Sequence, residues 1–391
     1  MIKSYFSDPV LYYMSYGLFS FSNGLFNIFV NIMFFSDHNI INVIEFQISM
    51  QFTQLLLFII STYFIKYISA NFLYSSGAIL RSLVIASLFL NNFLSSNAIL
   101  FGFLYGIPSG IFWAGNATFT LQISRKTKRF KFLSVNSALS GITSLIAPLA
   151  GGFLIAYSSY AGIYKYFNDF ILSSILLIFT GISALFINSS GEKGGIFKIS
   201  ETEISENNYN VFRLFFFSSY IMSIIMSTVL PVYIFLISNS YIIAGLYGTI
   251  IAVTSLISNS MAPFLYYRIK KFVLIAFSVI IFASFTFIFK NIDNIFIIFI
   301  ASSSIMFFLT PLSNLGMTEF MHYLDQFNVT RQYWINREYY IVAGRLISLS
   351  SLIFIADIYS VYETVLLIPI FSISILGFIP VLKKLRKDNY T

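Results

Sequence analysis

Apolar residues occur along this chain in long runs, separated by short stretches rich in charged and turn-forming residues. A helix needs about 20 predominantly apolar residues to cross the hydrocarbon core of a membrane. The pattern predicts an all-α integral membrane fold with twelve spanning helices. The predicted spans are residues 10–35, 42–65, 72–91, 98–122, 132–157, 168–187, 211–237, 242–266, 272–289, 295–318, 335–357 and 361–382.

Composition and charge support this interpretation. Hydrophobic residues make up 58% of the chain and charged residues only 10%, and the mean hydropathy is +0.83. Of the 23 Lys and Arg residues, 18 fall in the terminal segments and loops on one side of the predicted membrane and two on the other. Positive loops stay in the cytoplasm. Both termini are therefore predicted to be cytoplasmic, in a multi-pass protein of the plasma membrane.

The chain also divides into two similar parts. Residues 188–210 are polar and acidic and are predicted to form a cytoplasmic linker. Displacing the sequence by roughly 200 residues superimposes the span boundaries of residues 1–187 on those of residues 211–391. We therefore expect a duplicated unit, with two pseudo-symmetric six-helix bundles in the same orientation.

Several classes of protein are disfavoured. The chain has no Cys and only two His, so it offers no disulfide framework and no thiolate or His-rich metal site. The residue pattern of a membrane-embedded enzyme and the Gly-Lys motif of a nucleotide pump are both missing. We expect no enzymatic activity, no cofactor, no nucleic-acid partner and a monomeric chain. The net charge of +8 is attributed to membrane topology.

One short motif carries a family resemblance. Ala147-Pro148-x-x-Gly151-Gly152 in the fifth span is similar to the Gly-Pro-x-x-Gly-Gly pattern of the major facilitator superfamily, and the six-plus-six architecture resembles it over the whole chain. Close packing of small residues between helices is the alternative interpretation of the motif. The Asp-Arg pair of that family is missing after the second span, where only Lys66 is charged. Asn336-Arg337-Glu338 with Gly344-Arg345 resembles a pattern of one branch of bacterial and archaeal members.

The resemblance implies that the first, fourth, seventh and tenth spans line a central cavity. Candidate solute contacts on those helices and on the eleventh are Asn23, Asn27, Trp113, Asn116, Ser223, Ser227, Asn314 and Arg345. Asn23, Asn27 and Asn31 form one stripe, which Gln47, Gln51 and Gln54 repeat on the second span. Hydrogen bonding between helices is the alternative interpretation of both stripes.

Ionisable residues inside a membrane need a partner, water or a function. Arg81 is predicted near mid-membrane, either as an anion or substrate contact, as the partner of a carboxylate on another span, or as a structural residue bonded to backbone carbonyls between packed helices. Glu338 is predicted to pair with Arg129 or Lys131 at a cytoplasmic gate, with Arg337 nearby; a solvated helix start is the alternative. The coupling carboxylate is Glu338 or Glu45, unless transport is uniport or exchange. Asp169 is placed near an outer helix end.

The resemblance implies a secondary transporter that moves a small solute by alternating access, with or without a coupling ion. A membrane receptor or scaffold built on the same fold, without transport, is the alternative.

Overall fold

The computed structural model describes residues 8–35, 39–65, 67–90, 92–126, 129–187, 206–266, 284, 294–325 and 331–356. The described part is all-helical. Its helices are α1 Asp8–Phe34, α2 Ile40–Phe64, α3 Ala70–Leu90, α4 Asn92–Ser96, α5 Ala98–Lys126, α6 Arg129–Tyr160, α7 Phe167–Leu185, α8 Glu206–Ile224, α9 Leu230–Ser238, α10 Tyr241–Tyr266, α11 Ile295–Asp325 and α12 Arg331–Ala356.

Eight stretches of these helices are long and apolar enough to cross a membrane. They are Asp8–Phe34, Ile40–Phe64, Ala70–Phe89, Ala98–Thr120, Ala138–Tyr160, Phe167–Leu185, Phe212–Ser238 and Tyr241–Ser260. The predicted span 272–289, apart from residue 284, the span 361–382 and most of the predicted linker 188–210 lie outside the described residues. Twelve spans in two bundles therefore remain a prediction.

The chain folds into two compact units. Unit 1 comprises Met1–Lys198 with Asn239–Thr249, and unit 2 comprises Ile199–Ser238 with Ile250–Thr391. In unit 1, α1 packs against α6 and α7, α3 packs against α5 and α7, and α2 packs against α5. The aromatic core includes Phe19 and Phe112, whose rings stack with centroids 3.8 Å apart.

Three glycines set the contact between α2 and α5. Gly102, Gly106 and Gly110 recur every four residues and therefore lie on one face of α5. A Cβ atom on these glycines would lie only 2.4–2.6 Å from backbone oxygens of α2. The missing side chains let the two backbones touch, which is the usual basis of tight helix packing in membranes.

The motif around Pro148 lies in the interior of α6, where it meets two other helices of unit 1. A Cβ on Gly24 of α1 would lie 2.6 Å from the Cβ of Ala147. At the start of α10, a Cβ on Gly245 would lie 2.3 Å from the Pro148 carbonyl oxygen. Thr249 Oγ1 donates a hydrogen bond of 2.7 Å to the Leu145 carbonyl. The motif thus packs closely on glycines of α1 and α10.

In unit 2, α8 packs along α12, with Gly344 of α12 against the carbonyl of Phe217. After α8 the backbone widens into a π-helical turn, Ile225–Val229, before α9 begins. Pro231, the second residue of α9, has no N–H to donate to the carbonyl of Ser227, four residues earlier within this turn. This missing hydrogen bond accounts for the local widening.

Candidate solute-binding site

Unit 1 contains a cavity of about 260 Å³ between α1, α5 and α6. Its lining is polar and aromatic, with the side chains of Tyr16, Asn23, Asn27, Trp113, Ser140 and Ser144 among its walls. Three of the predicted solute contacts, Asn23, Asn27 and Trp113, therefore lie together around one space. Amide and hydroxyl groups beside aromatic rings suit a small solute that has both polar and apolar parts.

Arg81 of α3 lies behind this wall and is only 4% exposed. One terminal nitrogen donates a hydrogen bond of 2.6 Å to Asn23 Oδ1, and Nε donates one of 2.6 Å to the Tyr105 hydroxyl. The guanidinium carbon also lies 4.4 Å from the centre of the Tyr105 ring. Arg81 thus connects α1, α3 and α5 and orients the amide of Asn23 at the cavity.

Within the described residues, no acid balances the charge of Arg81. Its hydrogen bonds go to the neutral groups of Asn23 and Tyr105, whereas Arg337 of unit 2 forms an ion pair with Glu338. A buried ion is costly unless a counter-charge accompanies it. A negatively charged solute in the adjacent cavity would supply that counter-charge.

The two polar stripes have more than one structural role. Asn31, at the end of the α1 stripe, accepts a hydrogen bond of 2.8 Å from Gln47 Nε2 of α2. Its own Nδ2 donates to the Asn27 carbonyl at 3.0 Å. Gln51 and Gln54 are also buried. The stripe therefore lines the cavity at Asn23 and Asn27 and joins helices at Asn31.

Two other predicted residues of unit 1 lie away from the cavity lining. Asn116 is buried, and its Oδ1 accepts a hydrogen bond of 2.9 Å from the Tyr12 hydroxyl. This bond joins α1 to α5. Glu45, on α2, is half-buried. Neither residue belongs to the lining of the cavity.

The charged candidates of unit 2 lie along α12. Arg337 forms an ion pair with its neighbour Glu338 and packs its guanidinium over the ring of Trp334, 4.9 Å from the ring centre. The guanidinium of Arg345 lies 4.7 Å from the centre of the Tyr220 ring on α8. Arg337 is thus the described partner of Glu338. The predicted gate pairing stays a prediction, because the side chains of Arg129 and Lys131 lie outside the described part.

The hydroxyl candidates of unit 2 flank the π-helical turn. Ser223 lies in the last turn of α8 and is half-buried, whereas Ser227 lies within the π-helical turn and donates a hydrogen bond of 3.3 Å to the Ile224 carbonyl. Single π-helical turns recur at functional sites. Asn314 lies on α11, and its side chain is not among those described.

Sequence reasoning missed several residues that the structure places at or near the site. Ser140, Ser144 and Pro148 line the cavity and recur every four residues on α6, a spacing that repeats the stripe of α1. Tyr105, the hydrogen-bond partner of Arg81, is one of 26 tyrosines and carries no distinguishing local pattern. The spacing of the two serines could have predicted their place at the cavity, whereas nothing in the sequence around Tyr105 could have done so.

Comparison with known proteins assigns the chain to a family. The model of the Major Facilitator Superfamily matches residues 12–336, and the chain therefore belongs to that family. It is similar to a structure described as a bacterial homologue of the iron transporter ferroportin in the outward-facing state, with 14% identity and a TM-score of 0.65. The similarity covers 96% of this chain and 99% of the other.

A second solved structure, described as a bacterial metal transporter, is also similar. It shares 14% identity with this chain at a TM-score of 0.61, over 95% of this chain and 98% of the other. At this identity both similarities concern the fold. No curated protein sequence matches. The chain is thus a multi-pass membrane protein of a family of secondary transporters, and its expected role is transport rather than enzymatic catalysis.

Proposed function

We propose that this protein moves a small organic anion across the membrane by alternating access. The proposal rests on the burial and the hydrogen bonds of Arg81. Its guanidinium is buried, has no acidic partner among the described residues and donates to Asn23, which lines the cavity. An anion held near Asn23 would neutralise Arg81. It would be released when the contacts that keep water out of the site open.

The size and lining of the cavity define the kind of anion. At about 260 Å³ the space lies just below the usual range for drug-sized ligands, roughly 300–1,000 Å³. Trp113 and Tyr16 offer aromatic surface, while Asn23 and Asn27 offer amide donors and acceptors. A small organic anion with an apolar part, such as a short carboxylate, fits better than a bare inorganic ion.

A divalent metal cation is less well supported, although the similar solved structures are described as metal transporters. Such a cation prefers carboxylate, imidazole or thiolate ligands. The described residues contain no group of three or more His, Cys, Asp or Glu side chains able to hold a metal ion. The surplus positive charge at Arg81 would also repel it.

The proposed cycle uses the two halves predicted from the sequence, residues 1–187 and 211–391. In this family, paired helical repeats rock around a substrate site between them. The repeated register of spans and the family match support this arrangement. We further propose that both termini face the cytoplasm and that the protein lies in the plasma membrane, because 18 basic residues fall on that side.

Trp113 provides the test, since only two tryptophans occur in the chain. In purified Trp334→Phe protein, the fluorescence of Trp113 should change on adding certain small organic anions but not neutral or cationic analogues or divalent metals. The matched Trp113→Phe protein, which keeps Trp334, should give no response. Liposomes containing the protein should then accumulate the active anion.

Two results would count against the proposal. Binding and transport of a divalent metal, with no response to anions, would replace it by metal transport. A protein that binds none of the panel and moves none of it would support the receptor or scaffold alternative instead.

A further inference from the structure

Asp169 is a second buried charge of unit 1, and the proposed function does not use it. It lies in the first turn of α7 and its side chain is 0% exposed. Neither carboxyl oxygen has a hydrogen-bond partner among the described residues. A Cβ atom built on Gly151 of α6 would lie 2.9 Å from Asp169 Oδ1 and 2.5 Å from the ring of Phe29 on α1. The carboxyl therefore occupies a closed space between three helices.

An ionised carboxylate in that space would have no hydrogen-bond partner among the described residues and only the partial positive charge of the α7 N-terminus beside it, so burying it costs several kcal/mol. A bound cation or a proton would remove the cost. A metal cation needs several oxygen ligands. The nearby hydroxyl groups of Ser22 and Ser173 bond to each other at 2.7 Å, and Phe29 offers only carbon. A proton, which needs no further ligand, is the partner that this environment accommodates.

Among the described residues, the titratable and charged groups on the surrounding elements do not bond to Asp169. On α1 these are Asp8, Tyr12, Tyr13 and Tyr16; on α3, Tyr74 and Arg81; on α6, Tyr157 and Tyr160, with the side chains of Arg129 and Lys131 outside the described part; before α7, Tyr164, Lys165 and Tyr166; on α10, Tyr241. Burial raises the pKa of the Tyr164 phenol and, together with Tyr241, that of Tyr166. Both phenols therefore stay neutral at physiological pH and do not compete for the proton.

We propose that Asp169 is a proton-binding site, and that its loading and unloading accompany the transport cycle. The carboxylate takes up one proton to become a neutral carboxylic acid in the closed space and returns that proton to water when the helices around it separate. Proton binding follows from the geometry of Asp169 alone. The coupling of this proton to transport rests on the proposed function, because it needs a transported solute.

Infrared spectroscopy tests proton binding without any solute. Difference spectra of the reconstituted protein between acidic and alkaline buffer should contain the carbonyl stretch of a buried carboxylic acid, shifted in heavy water. Asp169→Asn should remove this band, whereas Asp8→Asn and Glu45→Gln should keep it. A band that survives in Asp169→Asn, or one that disappears in Glu45→Gln instead, would overturn the proposal.

Gly151→Ala is a second variant, which retains the carboxyl group of Asp169. It tests the same proton site if Asp169→Asn does not fold. The added methyl group would press on Asp169 Oδ1, so the same band should move in frequency and titrate at a different pH. An unchanged band and titration would contradict the placement of the proton at Asp169.

Transport then tests the coupling. A pH gradient should drive solute accumulation in liposomes with wild-type protein, and Asp169→Asn should lose this response while still equilibrating solute. An Asp169→Asn protein that still accumulates solute in response to the pH gradient would refute the coupling. If no solute moves in wild type, the proposed function fails, and the infrared result still decides the proton site.

Discussion

Two arginines with aromatic neighbours, one in each unit, differ in how their charge is balanced: Arg81 is buried, whereas the side chain of Arg337 is 14% exposed. Arg337 of unit 2 lies beside Glu338 and forms an ion pair with it, and its guanidinium packs over Trp334 and Phe216. Arg81 of unit 1 packs over Tyr105 and Phe19 in a similar way, but its hydrogen bonds go to neutral groups. The aromatic environment is shared, and the difference lies in the counter-charge.

This difference separates an arginine that the chain neutralises itself from one that, under the proposed function, a bound anion neutralises. A paired arginine holds its surroundings together whether or not solute is present. An arginine without an acid contributes most when an anion arrives, because the burial cost is then offset. Unit 1 therefore carries the stronger indication of a solute site.

The largest expected effect comes from removing the charge of Arg81. Arg81→Gln keeps a hydrogen-bond donor but loses the cation, so affinity for the transported anion should fall at least about 30-fold, as for loss of one partner of a buried charge pair. Fluorescence titration at Trp113 measures it. Arg81→Lys should retain part of the affinity. Equal affinities in wild type and Arg81→Gln would remove Arg81 from the site.

Neutralising Glu338 should affect stability instead. Glu338→Gln leaves Arg337 without its acid and should lower the free energy of unfolding by about 1.5–3 kcal/mol, the range for hydrogen bonds to charged groups. The melting temperature in detergent reports the change, while the anion affinity at Trp113 should stay within twofold. A stable variant with reduced affinity would instead place Glu338 in the solute pathway.

Truncating Asn23 tests whether the cavity wall binds the anion. Asn23→Ala removes the acceptor for Arg81 and an amide at the cavity, and should weaken anion binding about fivefold, as for loss of one hydrogen bond of about 1 kcal/mol. Asn31→Ala, which breaks the bond to Gln47, is the matched control and should lower thermal stability more than affinity. The reverse order would show that the cavity is not the binding site.

The smallest effect is expected at Tyr105. Tyr105→Phe keeps the ring under Arg81 but removes the hydroxyl that accepts its hydrogen bonds. Affinity should fall only about twofold to threefold, since Asn23 and the ring still hold the guanidinium. Equilibrium binding resolves this change. A loss as large as that of Arg81→Gln would mean that the phenol itself contacts the solute.

Hydropathy predicted most of the described helices well. The predicted first, second and sixth spans, 10–35, 42–65 and 168–187, match Asp8–Phe34, Ile40–Phe64 and Phe167–Leu185 within a few residues. Lipid imposes this pattern locally, because each spanning helix must be apolar along its whole length. The residues of the linker were judged by polarity alone, and α8 in fact begins at Glu206, inside the predicted linker.

The site was harder to predict because its groups meet through tertiary packing. The Asn stripe is periodic within one helix and could be found, whereas the contact of Arg81 with Tyr105 joins positions 24 residues apart without any pattern. Asp169 was judged from its distance to the helix end. Its isolation depends on Gly151 and Phe29, which only the packing of α1 and α6 reveals.

The hydrogen bond between Asn31 and Gln47 also bears on how the protein is made. The two residues belong to consecutive helices and lie only 16 positions apart. They can therefore meet as a helical hairpin soon after α2 leaves the ribosome, before later helices exist. We therefore expect each amide to be paired before it meets the lipid. We expect the order of synthesis to protect these polar groups until the rest of unit 1 closes around them.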